Sequence, residues 1–498
     1  MNANKSILLF FIALIWSVTS MANKPENQPN FLFIVVDDLG WADVGYNGST
    51  FYETPNIDQL STEGMLFTNG YVASPMCSPT RASIMTGKYP ARLHLTNWIG
   101  APQPNNYKWN TILRSASYIK ALPLKEVTLA ESMKAGGYQT YFIGKWHLGK
   151  PEKFWPEHQG FDTNIAGCGW GAPIGGNHYF SPYGNPRLTD GPEGEHLPAR
   201  LAKEEIAFLK SEHHKPFFSY LAFYSVHSPW MGRKDLVAKY EKKEKQPDEW
   251  RQERWIKFDK TQNNPVYAAM IEAVDIAIGN VLNTLKETGL DKNTVVIFVS
   301  DNGGASEVTS NDPLRAGKCF LYEGGIRVPL IVRWPGKIIA GSITNVPVTS
   351  TDFYPTILEM AGLPLMPEKH KDGVSFAPLL KGEKYSQRDL FWHYPHYEGG
   401  SEPASAIRSG NWKLIEFYEG DRVELYNLKD DIGEYHNLAL KYPERTKILK
   451  EKLQAWRNEV KASEPTINPK FDPFKTQNYQ LRYMNMLKEK YSWYKAQF

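Results

Sequence analysis

Three cysteines in 498 residues, at positions 77, 168 and 319, are too few to staple a fold. The chain is therefore not a disulfide scaffold of the kind small secreted domains use. Net charge is equally scarce: 57 Lys+Arg against 54 Asp+Glu leave a formal +3. Nucleic-acid binders carry a basic excess or stripe, because their affinity comes from releasing phosphate counterions; nucleic acid is not an expected partner. Long apolar runs are missing too. The unbroken stretch Ile7 to Trp16 is well short of the roughly 20 residues that span a bilayer. No later segment reads as long and apolar enough to do so, and stable membrane insertion is not expected. Internal repeats and low-complexity linkers are also absent from the sequence.

What remains, 42% hydrophobic and 22% charged residues, is the composition of an ordinary globular protein. At roughly 100–200 residues per domain the length suggests two or three units. The 15 Trp and 27 Tyr suit either sugar-stacking surfaces or a plain core. At the N-terminus, Lys5, the apolar run and the small residues of Ser20-Met21-Ala22 form a signal peptide over residues 1–22, cleaved after Ala22. The mature protein is accordingly expected to be exported, to the periplasm or the medium. Whether Cys168 and Cys319 pair stays open, since sequence does not give their separation.

Phe31 to Val36 is a β-branched and aromatic run that stops at Asp37-Asp38, the pattern of a buried parallel strand with acids at its carboxyl end. Pro55 to Gly64 reads as a helix and its stop, as does Leu129 to Lys134 before Gly136-Gly137. Thr140 to Ile143 and Phe217 to Ala222 read as strands, Tyr267 to Thr288 as a long helix, and Thr294 to Ser300 as a second strand ending in acid and amide, Asp301-Asn302. This is an α/β rhythm, and in open α/β sheets ligands gather beyond the carboxyl ends of strands. Lys234 to Lys260 reads as a solvated, charged insertion. From about Ser386 the pattern shortens into antiparallel-looking pieces, Ala406 to Arg408, Trp412 to Phe417 and Val423 to Tyr426, then a helix over Pro443 to Val460. The division expected is a catalytic domain over 23–385 and a C-terminal subdomain over 386–498, with a basic, aromatic tail from Ser463 wrapping the main body.

Two clusters carry chemistry. Asp37, Asp38, Asp301 and Asn302 are hard oxygen ligands with no His or Cys cluster of zinc spacing nearby, which favours calcium or magnesium. Alone, adjacent acids also suit a cap or a solvated turn; a second acidic strand end weighs against that reading. In Cys77-Ser78-Pro79-Thr80-Arg81, Pro79 marks a helix start and puts Cys77 at a helix N-terminus, where free N–H groups and the dipole favour an anion. Alone, such a Cys is as often a small buried hydrophobe.

The C-x-P-x-R run and Thr86-Gly87 stand with Asp37-Asp38, Gly144-Lys145-Trp146-His147-Leu148-Gly149, Asp301-Asn302-Gly303, Gly317-Lys318 and Glu323-Gly324-Gly325-Ile326-Arg327-Val328-Pro329. In this order the set resembles the type I, formylglycine-dependent sulfatases of the alkaline phosphatase superfamily, with looser agreement at Asn411-Trp412-Lys413-Leu414 and Glu424-Leu425-Tyr426-Asn427. The resemblance implies an α/β, alkaline phosphatase-like large mixed sheet flanked by helices, with a smaller C-terminal domain of antiparallel strands and a helix. It also implies that a formylglycine-generating enzyme oxidises Cys77 to an aldehyde. The hydrated aldehyde attacks sulfur through one oxygen, and its second hydroxyl lets the sulfated intermediate collapse by elimination. One Ca²⁺ would be held by Asp37, Asp38, Asp301, Asn302 and the modified Cys77.

By the same resemblance Arg81 orients residue 77, Lys145 and Lys318 bind sulfate oxygens, His147 takes the hemiacetal proton, and His227 with Lys318 protonates the leaving alcohol. Alone, His227 would read as a surface histidine and both lysines as solvated. The expected substrate is a sulfated carbohydrate, attacked in exo fashion on polysaccharide-derived oligosaccharides. The Trp98 region, Gly167 to Phe180 and His393 to Tyr397 suit either a sugar cleft or a domain interface. A phosphonate or phosphate monoester hydrolase of the same superfamily, and a noncatalytic sulfoglycan-binding protein, are the competing readings.

Overall fold

The strand Asn30–Val36 is buried on both faces and lies between two parallel neighbours, Phe217–Ala222 and Thr294–Ser300. This is one site in a computed structural model that describes residues 28–247, 249–253 and 256–475. The signal-peptide expectation at 1–22 and the tail beyond 475 lie outside the described residues. Because side chains alternate across a strand, Leu32, Ile34 and Val36 enter one core while Phe31, Phe33 and Val35 enter another. The first core is covered by helices Leu197–Leu209, Lys234–Glu241 and Pro55–Glu63 packed on the long helix Pro265–Glu287. The second is covered by Cys77–Thr86, Leu129–Ala135 and Phe353–Met360.

Among the described residues the sheet has eight strands, in the order Ser342–Thr344, Met65–Phe67, Leu330–Arg333, Thr294–Ser300, Asn30–Val36, Phe217–Ala222, Gln139–Gly144 and Thr163–Ile165. Leu330–Arg333 runs antiparallel to both its neighbours, so the sheet is mixed. A second, antiparallel sheet is formed by Leu390–Tyr394, Ala404–Ser409, Trp412–Phe417 and Val423–Asn427. Its one face takes Leu449, Leu453 and Trp456 of helix Pro443–Val460. The other packs Trp392, Ala406 and Ile415 against the segment that carries Tyr71, Met76 and Cys77. There Lys413 is fully buried between Glu323 and Glu434, 2.9 Å from each. Past the last helix, Thr466–Ile467 pairs with Leu113–Arg114, and Asp472 N–H donates to Asn110 (2.8 Å), so the described part of the tail does lie along the main body.

Two expectations are corrected. Lys234 to Lys260 is not wholly a solvated insertion: helix Lys234–Glu241 buries Leu236, Val237 and Tyr240 against the long helix. Its apolar stripe is one and a half turns long and is masked in sequence by flanking lysines. Second, among the described residues Pro265–Glu287 is long and apolar enough to cross a membrane. Its apolar residues are instead consumed by the core, with Ala268, Ala269, Met270, Val274 and Ile278 all buried. Cys168 and Cys319 are both free, buried thiols.

Candidate active site

Parallel pairing sets Val36 beside Ser300, so the two acidic strand ends emerge side by side. Asp38 takes a left-handed backbone (φ 61°), and its N–H donates to Asp301 Oδ1 at 3.2 Å. Ligand atoms of Asp37, Asp38 and Asp301 lie within 4.8 Å of one another, all buried. Asn302 joins them, donating Nδ2–H to Asp38 Oδ1 at 2.8 Å. The third strand ends here as well: Asp37 N–H donates to Ser225 O (2.9 Å) and Val226 N–H to Asp37 O (2.5 Å), which carries His227 to the site.

Cys77 is the first residue of helix Cys77–Thr86 and is 2% exposed. Its N-cap, Met76, offers no side-chain acceptor, so the first-turn N–H groups lie beside residue 77. One turn on, Arg81 is buried and reaches across to Asp301 Oδ2 through Nε (2.8 Å) and to Lys145 O through Nη1 (2.6 Å). Lys145 follows strand Gln139–Gly144 and forms a fully buried ion pair with Asp37. Lys318 Nζ meets the Asp38 carboxylate at 2.7 Å. His227 Nε2 stands 3.8 Å from Asp38 Oδ2 and is the most exposed of the group, at 19%.

His147 Nδ1 faces Cys77 Sγ at 3.4 Å, and Nε2 is 3.3 Å from Ile99 O. A carbonyl only accepts, so this partner assigns the proton to Nε2 and leaves the Nδ1 lone pair facing residue 77. Burial, reinforced by Lys145, holds His147 well below the ordinary imidazole pKa, so the ring is a neutral base. Burial raises the Cys77 thiol against the pull of Lys145 and Lys318. Burial and the adjacent Asp301 push Asp37 far above the usual carboxylate range. Asp301 resists its own burial because Arg81 and Lys145 pull it down. Beside residue 77 each buried anion thus faces a cation, Asp37 with Lys145, Asp301 with Arg81 and Asp38 with Lys318.

All ten sequence-selected residues, Asp37, Asp38, Cys77, Arg81, Lys145, His147, His227, Asp301, Asn302 and Lys318, fall in this connected cluster. Sequence reasoning passed over Ser78, whose hydroxyl donates to His147 O (3.0 Å) and accepts from Ile99 N–H (3.1 Å), fixing the histidine and its carbonyl partner together. It also passed over Gly171, where an added Cβ would lie 2.4 Å from His147 Cε1. The signal available was the loop's glycine spacing, Gly167, Gly169 and Gly171. Of the aromatic stretches, His393 to Tyr397 does not line a cleft: His393, Tyr394, His396 and Tyr397 are buried, with His393 Nδ1 on Ser405 Oγ (2.8 Å) and His396 Nε2 on Thr96 Oγ1 (2.9 Å). Trp98 is half-buried against the cluster that includes Cys77.

A hydrolase site at the strand ends of an alkaline phosphatase-like sheet is what these elements define. Residues 29–363 match the family described as Sulfatase, and residues 316–459 match the N-sulphoglucosamine sulphohydrolase C-terminal family. A "Sulfatase" of Formosa agariphila is 33% identical over 90% of this chain and 92% of its own length. The N-acetylgalactosamine-6-sulfatase of Mus musculus is 31% identical over 78% of this chain and 72% of its own. The crystal structure of Ps i-CgsB in complex with k-i-k-neocarrahexaose superposes with TM-score 0.70 at 27% identity, covering 92% of this chain and 98% of that one. The chain belongs to the sulfatase family. It is a sulfuric ester hydrolase.

Proposed function

We propose that the protein removes sulfate from carbohydrates by S–O cleavage, acting in exo fashion on oligosaccharides derived from polysaccharides. The observation that carries this reading is the meeting, around the first residue of one helix, of a hard-oxygen cluster, two buried or half-buried lysines and two histidines. A sugar substrate is supported by the relatives' printed names, an N-acetylgalactosamine-6-sulfatase and a protein crystallised with neocarrahexaose.

The donor set fits a calcium ion. Every ligand atom is oxygen, and Asp37 Oδ1 and Asn302 Oδ1 are buried without a hydrogen-bond partner, as acceptors reserved for a cation would be. Asp37, Asp38, Asp301, Asn302 and modified residue 77 would hold it, and its charge would draw density from the sulfate oxygens. Cys77 is the residue oxidised to formylglycine by a maturation enzyme; its raised thiol pKa means that the unmodified side chain is a poor nucleophile at neutral pH. Arg81 orients residue 77 through its fixed guanidinium. Lys145 and Lys318 hold equatorial sulfate oxygens. His147 Nδ1 accepts the proton released at residue 77. His227, at the open side, and Lys318 deliver a proton to the leaving sugar oxygen. Export through residues 1–22, and the division into a catalytic domain over 23–385 and a subdomain over 386–498, belong to the same proposal.

The test joins mass spectrometry of the peptide containing residue 77 to release assays on matched sulfate and phosphate esters of one sugar. Aldehyde or its hydrate at residue 77, with sulfate released far faster than phosphate, is the expected result. Full activity with an unmodified thiol, preferential phosphate release, or glycan binding without turnover would each overturn it.

A further inference from the structure

None of the roles above uses Asp43, although its carboxylate is completely buried five residues beyond Asp38. No lysine or arginine forms an ion pair with it among the described residues. Four hydrogen bonds hold it instead. Oδ2 accepts from Gly40 N–H (2.8 Å) and from the Tyr267 hydroxyl (2.8 Å), while Oδ1 accepts from the Thr309 hydroxyl (2.7 Å) and Gln262 Nε2–H (3.3 Å). Burying a carboxylate without a cation is unfavourable, and here burial lifts its pKa to about 6 despite the four donors. A hydrophobic core has no need of such a group.

The donors come from three separate pieces of the site. Gly40 belongs to the turn that leaves Asp38. Tyr267 stands in the first turn of the long helix, and its hydroxyl is also 3.0 Å from the main-chain oxygen of Asp38. Thr309 belongs to the loop that leads from Asn302 to Lys318. In that loop Asn311 grips Gly304 at both its N–H and its C=O (3.1 Å each), and Gly304 O accepts the main-chain N–H of Lys318 at 3.0 Å. One carboxylate therefore ties the backbone of Asp38 to the loop that presents Lys318, and the two side chains it serves meet at 2.7 Å.

We infer that Asp43 is a positioning residue that holds Asp38 and the Lys318 loop in register for the cation and the sulfate. It touches neither, and acts through Tyr267 and Thr309. The inference rests on the calcium-dependent sulfatase reading and deepens it. Its physical content is geometric: Asp38 turns through a left-handed φ of 61°, open to Asp but to few other side chains, and the one Tyr267 O–H is shared between its carbonyl and the Asp43 carboxylate.

The experiment measures calcium binding by titration calorimetry on metal-stripped, full-length protein, beside kcat and KM for one sulfated sugar. Asp43→Asn keeps the volume but turns an amide N–H₂ toward donors on one side. Tyr267→Phe keeps the ring in the core and removes only the hydroxyl bridge, so it is the variant of choice if Asp43→Asn fails to fold. Outer-shell losses at metal sites weaken binding or activity about 10–100-fold. Either folded variant should bind calcium about 10-fold more weakly and lose kcat by a similar factor, with an unfolding midpoint in excess calcium close to the parent's. Parent-like calcium affinity and kcat in both variants would overturn the inference alone. A parent that binds no calcium would overturn the metal reading, and the inference with it.

Discussion

His147 has one imidazole nitrogen committed to Ile99 O and the other turned to residue 77, and Gly171 packs so close that a Cβ there would lie 2.4 Å from Cε1. Any side chain at 171 must displace the ring. Gly171→Ala should lower kcat by about 10²-fold, the scale of an ångström misplacement, while the thermal midpoint moves little; steady-state kinetics beside a melting curve would read both. His227 poses a different question, because its proposed task is to supply a proton, not to bind sulfate. His227→Ala should slow unactivated sugar sulfates by about 10²-fold or more and activated aryl sulfates far less, as a comparison of the two substrate types would reveal. Replacing Lys318 should impair both types. Most of these residues were legible as motifs. Ser78 was not, because its task is to place another side chain and no residue type advertises that; Gly171 left only the glycine spacing of its loop as a signal.

The strands are where the sequence reading was most complete. Runs such as Asn30–Val36 and Thr294–Ser300 are buried on both faces, so Phe31 to Val36 and Val295 to Val299 are apolar throughout and the pattern ends where the site begins. At the end of Gln139–Gly144 the chain must bend to send Lys145 inward: Gly144 has φ 101°, and a Cβ there would lie 1.8 Å from Ala222 O. Gly144→Ala should destabilise the fold by more than about 1 kcal/mol and displace Lys145, seen as a lowered denaturation midpoint together with a raised KM. Helix Leu197–Leu209 carries a different liability. Glu205 is wholly buried, hydrogen-bonded to Ser219 Oγ (2.7 Å), and burial lifts its pKa from 4.5 to about 7. The folded state binds this proton more tightly than the unfolded state, so the associated stability is complete below about pH 4.5 and is lost as pH rises through about 7. Glu205→Gln should remove up to about 3 kcal/mol of that decline, flattening the fall of the unfolding midpoint between pH 5 and 8 that Asp275, raised to about 6, shares. The buried face of the short helix Lys234–Glu241 escaped the sequence reading because three buried residues are too few to outweigh the charge around them.

Across the whole molecule the hard part to foresee was how the C-terminal sheet meets the large one. Its strands and the helix Pro443–Val460 follow from local pattern, but a lysine in strand Trp412–Phe417 gives no hint that it will be buried between two carboxylates. Against burial, Lys413, Arg327 and Arg408 pull Glu323 down to about 2, whereas burial holds Glu434 up at about 7. Lys413→Met should cost about 3–5 kcal/mol by leaving buried charge uncompensated, measurable by denaturant titration. Lys413→Met combined with Glu323→Gln should recover part of the loss. For a related reason the sequence leaves His393 to Tyr397 open between a sugar cleft and a domain interface: an aromatic in a cleft and an aromatic in a seam have the same composition, and only the position of the second sheet distinguishes them.

The lysine at that seam has a hereditary consequence. A gene fragment ending near residue 385 would encode a chain whose Glu323 has lost Lys413 and keeps Arg327, at 3.5 Å, as its counterion. The two sheets are thus not interchangeable modules: shuffling either one between paralogues must carry its half of the ion cluster along, or the recombinant will be cleared as misfolded.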